Sequence, residues 1–138
     1  MKMIEEAKKE LESANKHLIL TGVQEASFYC HNSSVAGGWW TDLNTGSYKE
    51  RNKGELLMLI VSEIAEAMEG ERKDLMDTHL PLRKMSEVEL ADALIRIFDY
   101  AGAYNLDIAG AMLEKMEYNQ RREDHKIENR MKDNGKKF

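Results

Sequence analysis

Ile4, Ala7, Leu11, Ala14 and Leu18 recur at alternating spacings of three and four, the period of one face of an α-helix. They predict an amphipathic helix over residues 3–19, ended by Thr21-Gly22. The stretch from Val23 to Gly54 is rich in Gly, Ser and Asn with no sustained period, which predicts mostly loop. A loop of that length inside a compact domain is usually functional or disordered, and its aromatic residues Phe28, Tyr29, Trp39, Trp40 and Tyr48 favour function. A strongly apolar second helix is predicted from Glu55 to Glu69, with Gly70 as its terminator. Pro81 breaks the connector that follows. Ser86 with Glu89 three residues on has capping-box spacing and predicts the start of a third helix reaching about Tyr104. Asn105 separates it from a fourth, roughly residues 107–128.

No stretch alternates cleanly with period two, so the fold class predicted is all-α. The second, third and fourth helices form a bundle, and the first helix and aromatic loop pack around it. At 138 residues this is one domain: an N-terminal helix (1–22), the aromatic loop (23–54), the helices that carry the candidate chemistry (55–128) and a flexible tail (129–138).

Composition narrows the function. The net charge of −5 argues against nucleic acid as a partner, because phosphate contacts need clustered Lys and Arg. Charge is also uneven: Glu55 to Asp107 holds twelve acidic and five basic residues, while residues 108–138 hold six and eight. Cys30 is the single cysteine, which excludes an intrachain disulfide or a thiolate metal cluster and fits a reducing compartment. The N-terminus is too polar for a signal peptide, and no apolar run reaches membrane-spanning length. The expected setting is the cytoplasm, with no membrane contact.

The chemistry lies in carboxylates on apolar helices. At about 100° per residue, Glu63 falls inside the stripe of Leu56, Ile60, Ile64 and Ala67, Glu66 sits at its edge beside Leu59, and Glu69 drifts toward solvent. Isolated buried carboxylates take up a proton or find a partner. On the third helix Glu89, Asp92, Arg96 and Asp99 share one narrow stripe. Alone, that stripe reads as a solvated face with an Asp92–Arg96 pair. Beside the second helix it changes meaning: E-x-x-E and E-x-x-D meet if the helices pack antiparallel, and four converging carboxylates repel unless cations lie between them. Oxygen ligands without Cys or His suit Mg²⁺ or Mn²⁺ and not zinc. A di-iron bundle would need Glu-x-x-His on two helices, and the residues three before His17, His31, His79 and His125 are Ala14, Phe28, Met76 and Arg122. On the fourth helix Lys115, Tyr118, Asn119 and Arg122 share a face. By themselves they are an exposed flank; facing an acidic metal cluster, the Lys and Arg suit polyphosphate oxygens.

Glu63-Ile64-Ala65-Glu66, 22 intervening residues, and Glu89-Leu90-Ala91-Asp92 resemble the MazG-like all-α nucleoside triphosphate pyrophosphohydrolases. The framing ELLMLIVSEIAEAMEG and VELADALIRIFDYAG resemble that family too, as does KMEYNQRREDH. The resemblance spans about residues 54–125. It implies cleavage of an NTP or dNTP between the α and β phosphates, giving a nucleoside monophosphate and pyrophosphate. It implies Mg²⁺, with Mn²⁺ as an alternative, held by Glu63, Glu66, Glu89 and Asp92. Glu63 or Glu66 then accepts the proton of the attacking water, and Lys115 and Arg122 steady the leaving pyrophosphate.

Trp39 and Trp40 follow Gly37-Gly38 and either stack the base or fold inward as a local core. His31 and Asn44 are candidates to reach the base edge, with ordinary loop polarity as the simpler reading. The apolar second and fourth helices and Met58, Met68, Met76, Met85, Met112 and Met116 offer more greasy surface than one thin layer hides; together with the resemblance they point to a homodimer or homotetramer. The competing reading is a non-catalytic helical interaction module in which the carboxylates pair with Arg83, Arg96 and Arg122.

Overall fold

The computed structural model describes residues 1–137. Six α-helices follow in order: α1 (Lys2–Ser13), α2 (Lys16–Ala36), α3 (Lys53–Lys73), α4 (Met85–Ala103), α5 (Ile108–Arg121) and α6 (Ile127–Arg130), with a 3₁₀ turn at Glu123–His125. Among the described residues there are two isolated β-bridges, Thr41 with Tyr48 and Met76 with Lys84, and no strand. The all-α expectation is met. No helix is long and apolar enough to cross a membrane among the described residues.

The largest departure is at the N-terminal third. The helix expected over residues 3–19 is two helices, and Thr21-Gly22 lies inside the second. The break falls at Ala14-Asn15, where the Asn15 side chain accepts from the backbone N–H groups of His17 at 3.1 Å and Leu18 at 3.3 Å. That is an N-cap, and it starts a helix that runs to Ala36. Residues 23–36, expected as loop, are therefore helical; the aromatic loop proper occupies 37–52.

The other boundaries move for identifiable reasons. α3 passes through Gly70 and ends at Asp74, whose φ of 47° is left-handed. Gly70 serves close approach instead of termination: a Cβ there would sit 2.9 Å from Met85 Cβ and 3.1 Å from Ser86 N. The cap of α4 is also displaced. Glu87 accepts from Lys84 N at 3.2 Å, while Ser86, the expected cap, is buried and its hydroxyl donates to Glu71 on α3. The fourth helix stops at Arg121 and not near 128, because Arg122 is extended at φ −64°, ψ 131°. Asp107 caps it through Gly110 N at 2.9 Å. In the segment expected as a flexible tail, Arg130 donates to the carbonyls of Lys136 and Lys137.

The chain divides into two compact units. One contains residues 25–106. Its frame is an α3/α4 hairpin, antiparallel because Glu71 meets Ser86 at one end and Glu63 meets Arg96 further along. The seam is made of small residues: Ala67, Gly70 and Ala93 are buried on it, which lets the backbones approach. Against α4 lie the second half of α2 and the aromatic loop. A Cβ on Gly102 would be 2.5 Å from His31 Cβ, so that glycine too is a packing requirement. The other unit holds, of the described residues, 1–24 and 107–137. In it Lys16 pairs with Glu117, and a groove of about 930 Å³ is lined by Leu11, Ile19, Leu113, Met116 and Ile127 among others. That groove contains none of the four predicted metal ligands.

Candidate acidic metal centre

Glu63 of α3 and Glu89 and Asp92 of α4 each offer a carboxylate oxygen, and these atoms lie within 4.8 Å of one another. Glu63 is 7% exposed and Glu89 8%; Asp92 is at the more open side. The antiparallel register and the small-residue seam create this convergence, and the acids do not favour it. Burial pushes the Glu89 carboxyl above its ordinary protonation range, with the charges of Glu66, Glu63 and Asp92 and a hydrogen bond to Glu63 adding to the rise. Asp92 is raised as well, first by burial and then by Glu63 and Asp77, against the lowering effect of Arg96. Crowded carboxylates that hold protons too tightly are short of positive charge.

Of the four predicted ligands, three come together and the fourth, Glu66, is exposed beside them and acts on Glu89 through its charge. Glu69, placed toward solvent by the helix geometry, pairs there with Arg72 at 3.4 Å and with Lys73. Arg96 reaches across to α3 and donates from Nε to Glu63 Oε1 at 2.6 Å, so its ion-pair partner is Glu63, where the lone-helix reading paired it with Asp92. The oxygen-only donor set, its crowding and its raised protonation fit a hard divalent cation.

The predicted phosphate face lies in the other unit. Lys115, Tyr118 and Asn119 are on α5 and Arg122 is at its C-cap. The Lys115 Nζ lies 4.7 Å and the Arg122 guanidinium 5.9 Å from the Tyr118 ring centroid. Arg122 is engaged by Asp124 through two hydrogen bonds of 2.9 and 2.7 Å. Asn119 Oδ1 is buried without a hydrogen-bond partner.

The two tryptophans separate. Trp40 is 3% exposed and Trp39 66%. Trp40 Nε1 donates to Asp99, at 2.9 Å to Oδ1 and 3.2 Å to Oδ2, and its ring stacks on Tyr48 and meets His31 and Tyr104 edge-on. Only Trp39 therefore presents an open ring. His31 Nδ1 contacts Asp99 Oδ1 at 2.8 Å, and Asn44 sits in a turn where its backbone N–H donates to Asp42 at 2.9 Å.

Two carboxylates have roles that the sequence does not assign to them: Asp99, although it lies on the acidic stripe of the third helix, and Asp77, which lies on no such stripe. Asp99 accepts from Ser34 Oγ at 2.8 Å in addition to His31 and Trp40, and so ties α2 and the aromatic loop to α4. Asp77 is a buried carboxylate that accepts from His79 N at 2.9 Å and Leu80 N at 2.6 Å; the Asp-Thr-His-Leu-Pro run is a turn signal that marks it. No protein-family model, curated protein or solved structure matches the chain.

Proposed function

We propose that the protein is a divalent-metal-dependent nucleoside triphosphate pyrophosphohydrolase of the MazG-like kind, releasing pyrophosphate from an NTP or dNTP. The observation that carries this reading is the convergence of Glu63, Glu89 and Asp92 with two of the three buried. The E-x-x-E and E-x-x-D order on adjoining helices supports it. Glu63, Glu89 and Asp92 hold Mg²⁺ or Mn²⁺, with Glu66 as a further ligand. Such an ion polarises phosphate oxygens and makes bound water more acidic. Glu63 or Glu66 takes the water's proton, for which a carboxylate at hydrogen-bond range suffices. Trp39, whose ring is open, supplies a contact to the nucleotide. Because Trp40 is engaged inward, it holds the loop that carries Trp39.

The proposal includes a homodimer, or a tetramer built from it. Leu57, Val61, Ile64 and Met68 are each about half exposed and are spaced four, three and four apart, the seam period of packed helices. Leu90 and Leu94 repeat this on α4. Both stripes lie about a quarter to a third of a turn from the buried seam at 100° per residue, and in an antiparallel hairpin that places them on the same side, opposite Glu66 and Asp92. A cytoplasmic setting is part of the reading, since Cys30 has no second thiol in the sequence to pair with.

The Arg96–Glu63 pair favours one second reading, the non-catalytic interaction module with carboxylate–arginine pairs. A panel of all ribo- and deoxyribonucleoside triphosphates with Mg²⁺, scored for pyrophosphate, separates the two. The enzyme reading expects release from at least one nucleotide, abolished by chelator and by Glu63→Gln; no release from any of them would sink it.

A further inference from the structure

The acidic centre already contains a cation. Arg96 Nε donates to Glu63 Oε1 at 2.6 Å; its side chain is 41% exposed and that of Glu63 10%. Arg96 stands one helical turn beyond Asp92 on α4. Its single positive charge meets one carboxylate of a cluster in which oxygens of Glu63, Glu89 and Asp92 lie within 4.8 Å of one another, so the cluster keeps an excess of negative charge.

Charge balance then limits what else the site can take. Glu63, Glu66, Glu89 and Asp92 carry four negative charges when ionised, enough to neutralise two divalent ions. With the guanidinium on Glu63, three remain, which match one divalent ion and fall short of two. A surplus positive charge against two carboxylates as buried as Glu63 and Glu89 is costly because little water reaches it. We propose that Arg96 is the internal cation of the acidic centre: its guanidinium takes the place of a second metal ion on Glu63, so the protein binds one divalent cation and not two. The inference rests on the metal-dependent reading above. Its consequence is that any further divalent ion enters with an anionic ligand, which brings the negative charge that ion requires.

The test is the stoichiometry of Mn²⁺ binding, measured by calorimetry and by the electron paramagnetic resonance of free Mn²⁺ on the full chain without nucleotide. Wild type is expected to take one ion, Arg96→Met two, and Arg96→Lys, which keeps the charge, one. Far-UV circular dichroism of each variant checks that the helices are intact. Two ions on wild type would overturn the inference even if Arg96→Met failed to fold, and so would a folded Arg96→Met that still takes one. If wild type takes one ion and a folded Arg96→Met does not take two, the metal reading stands and the role of Arg96 falls. If wild type takes none at millimolar Mn²⁺, both fall together.

Discussion

Replacing Asp99 is the sharpest structural test of how the aromatic loop is held. Its carboxylate, whose side chain is 14% exposed, accepts from His31, Ser34 and Trp40. Hydrogen bonds to a charged group contribute about 1.5–3 kcal/mol each, so the three sum to roughly 5–9 kcal/mol before offsets. Removing the carboxylate also removes its own desolvation cost, and water entering beside Ser34 repairs part of the loss. The net for Asp99→Ala is about 3–5 kcal/mol, the range for breaking a buried polar pair on one side. Asp99→Asn keeps an acceptor oxygen and loses the charge, so about 1–2 kcal/mol is expected. Both tryptophans lie in the same compact unit as Asp99, so urea unfolding followed by tryptophan fluorescence reads the right part of the chain. For a chain of this size the Ala variant should melt about 10–20 °C lower. A loss below about 1 kcal/mol for Asp99→Ala would show that the carboxylate does not hold the loop, and equal losses for Ala and Asn would show that its charge contributes nothing.

Three further outcomes are expected. Glu89 and Asp92 have raised pKa values in the fold, so the folded chain binds protons more tightly than the unfolded one: metal-free stability should rise as pH falls from neutrality through the raised values, and level off below the ordinary ones. Glu89→Gln should reduce that rise and Mg²⁺ should suppress it; thermal melts across pH that show stability falling over the same window would contradict it. Trp39→Ala should raise KM with little change in melting temperature, by about 1–3 kcal/mol of lost stacking, whereas Trp40→Ala should cost about 3–5 kcal/mol of stability; steady-state kinetics and melts on the two variants decide this. Val61→Glu with Leu94→Glu should convert the proposed dimer to monomer in analytical ultracentrifugation while leaving the α3/α4 seam intact, and an unchanged sedimentation coefficient would remove that face from the proposed interface.

Helix class and the acidic centre were legible because both depend on rotation about a helix axis. Glu63, Glu89 and Asp92 were placed on converging faces by 100° per residue alone, and an antiparallel hairpin does the rest. α2 was not legible beyond Gly22 for the same reason. Its inward face after that point mixes Val23, Ala26 and Cys30 with the polar Ser27, His31 and Ser34, the last two bonding Asp99, and such polar anchors interrupt the hydrophobic period. Phe28 and Tyr29 compound the problem, since both are exposed. Asp99 shares the angular stripe of Asp92, which linked it to the acidic centre. Seven residues of rise, about 10 Å, carry it past the acids to the tryptophan. Angle was readable from the sequence and axial position against a neighbouring helix was not. The partner of Arg96 shows this again: Asp92 lies one turn away on the same helix, yet the interhelical register delivers the guanidinium to Glu63.

That register also explains how repelling carboxylates stay together. Small residues, Ala67, Gly70 and Ala93, line the seam, so the helices approach closely enough to bring the acids within reach of a shared ion, but small residues bury little apolar area. No large side chain in the described residues is fully buried. The hairpin therefore gains little from its own core while bearing the cost of two carboxylates raised first by burial and then by crowding. Its other side holds the balancing resource. Six half-exposed aliphatic side chains, at about 1.5–3 kcal/mol for full burial of each, have roughly 5–9 kcal/mol still to gain per copy on being covered. In the dimer we propose, that gain is realised on the face opposite the acids, where it stiffens the hairpin without neutralising the charge that binds the ion. A single helix pair then serves both demands, and the two are linked: separating the copies should loosen the seam and weaken Mn²⁺ binding, whereas loss of the ion should leave the copies joined. Mn²⁺ affinity measured on the Val61→Glu, Leu94→Glu monomer tests the first, and sedimentation of wild type in excess chelator tests the second. A monomer that binds Mn²⁺ as tightly as wild type would show that the acidic centre is held by the chain alone.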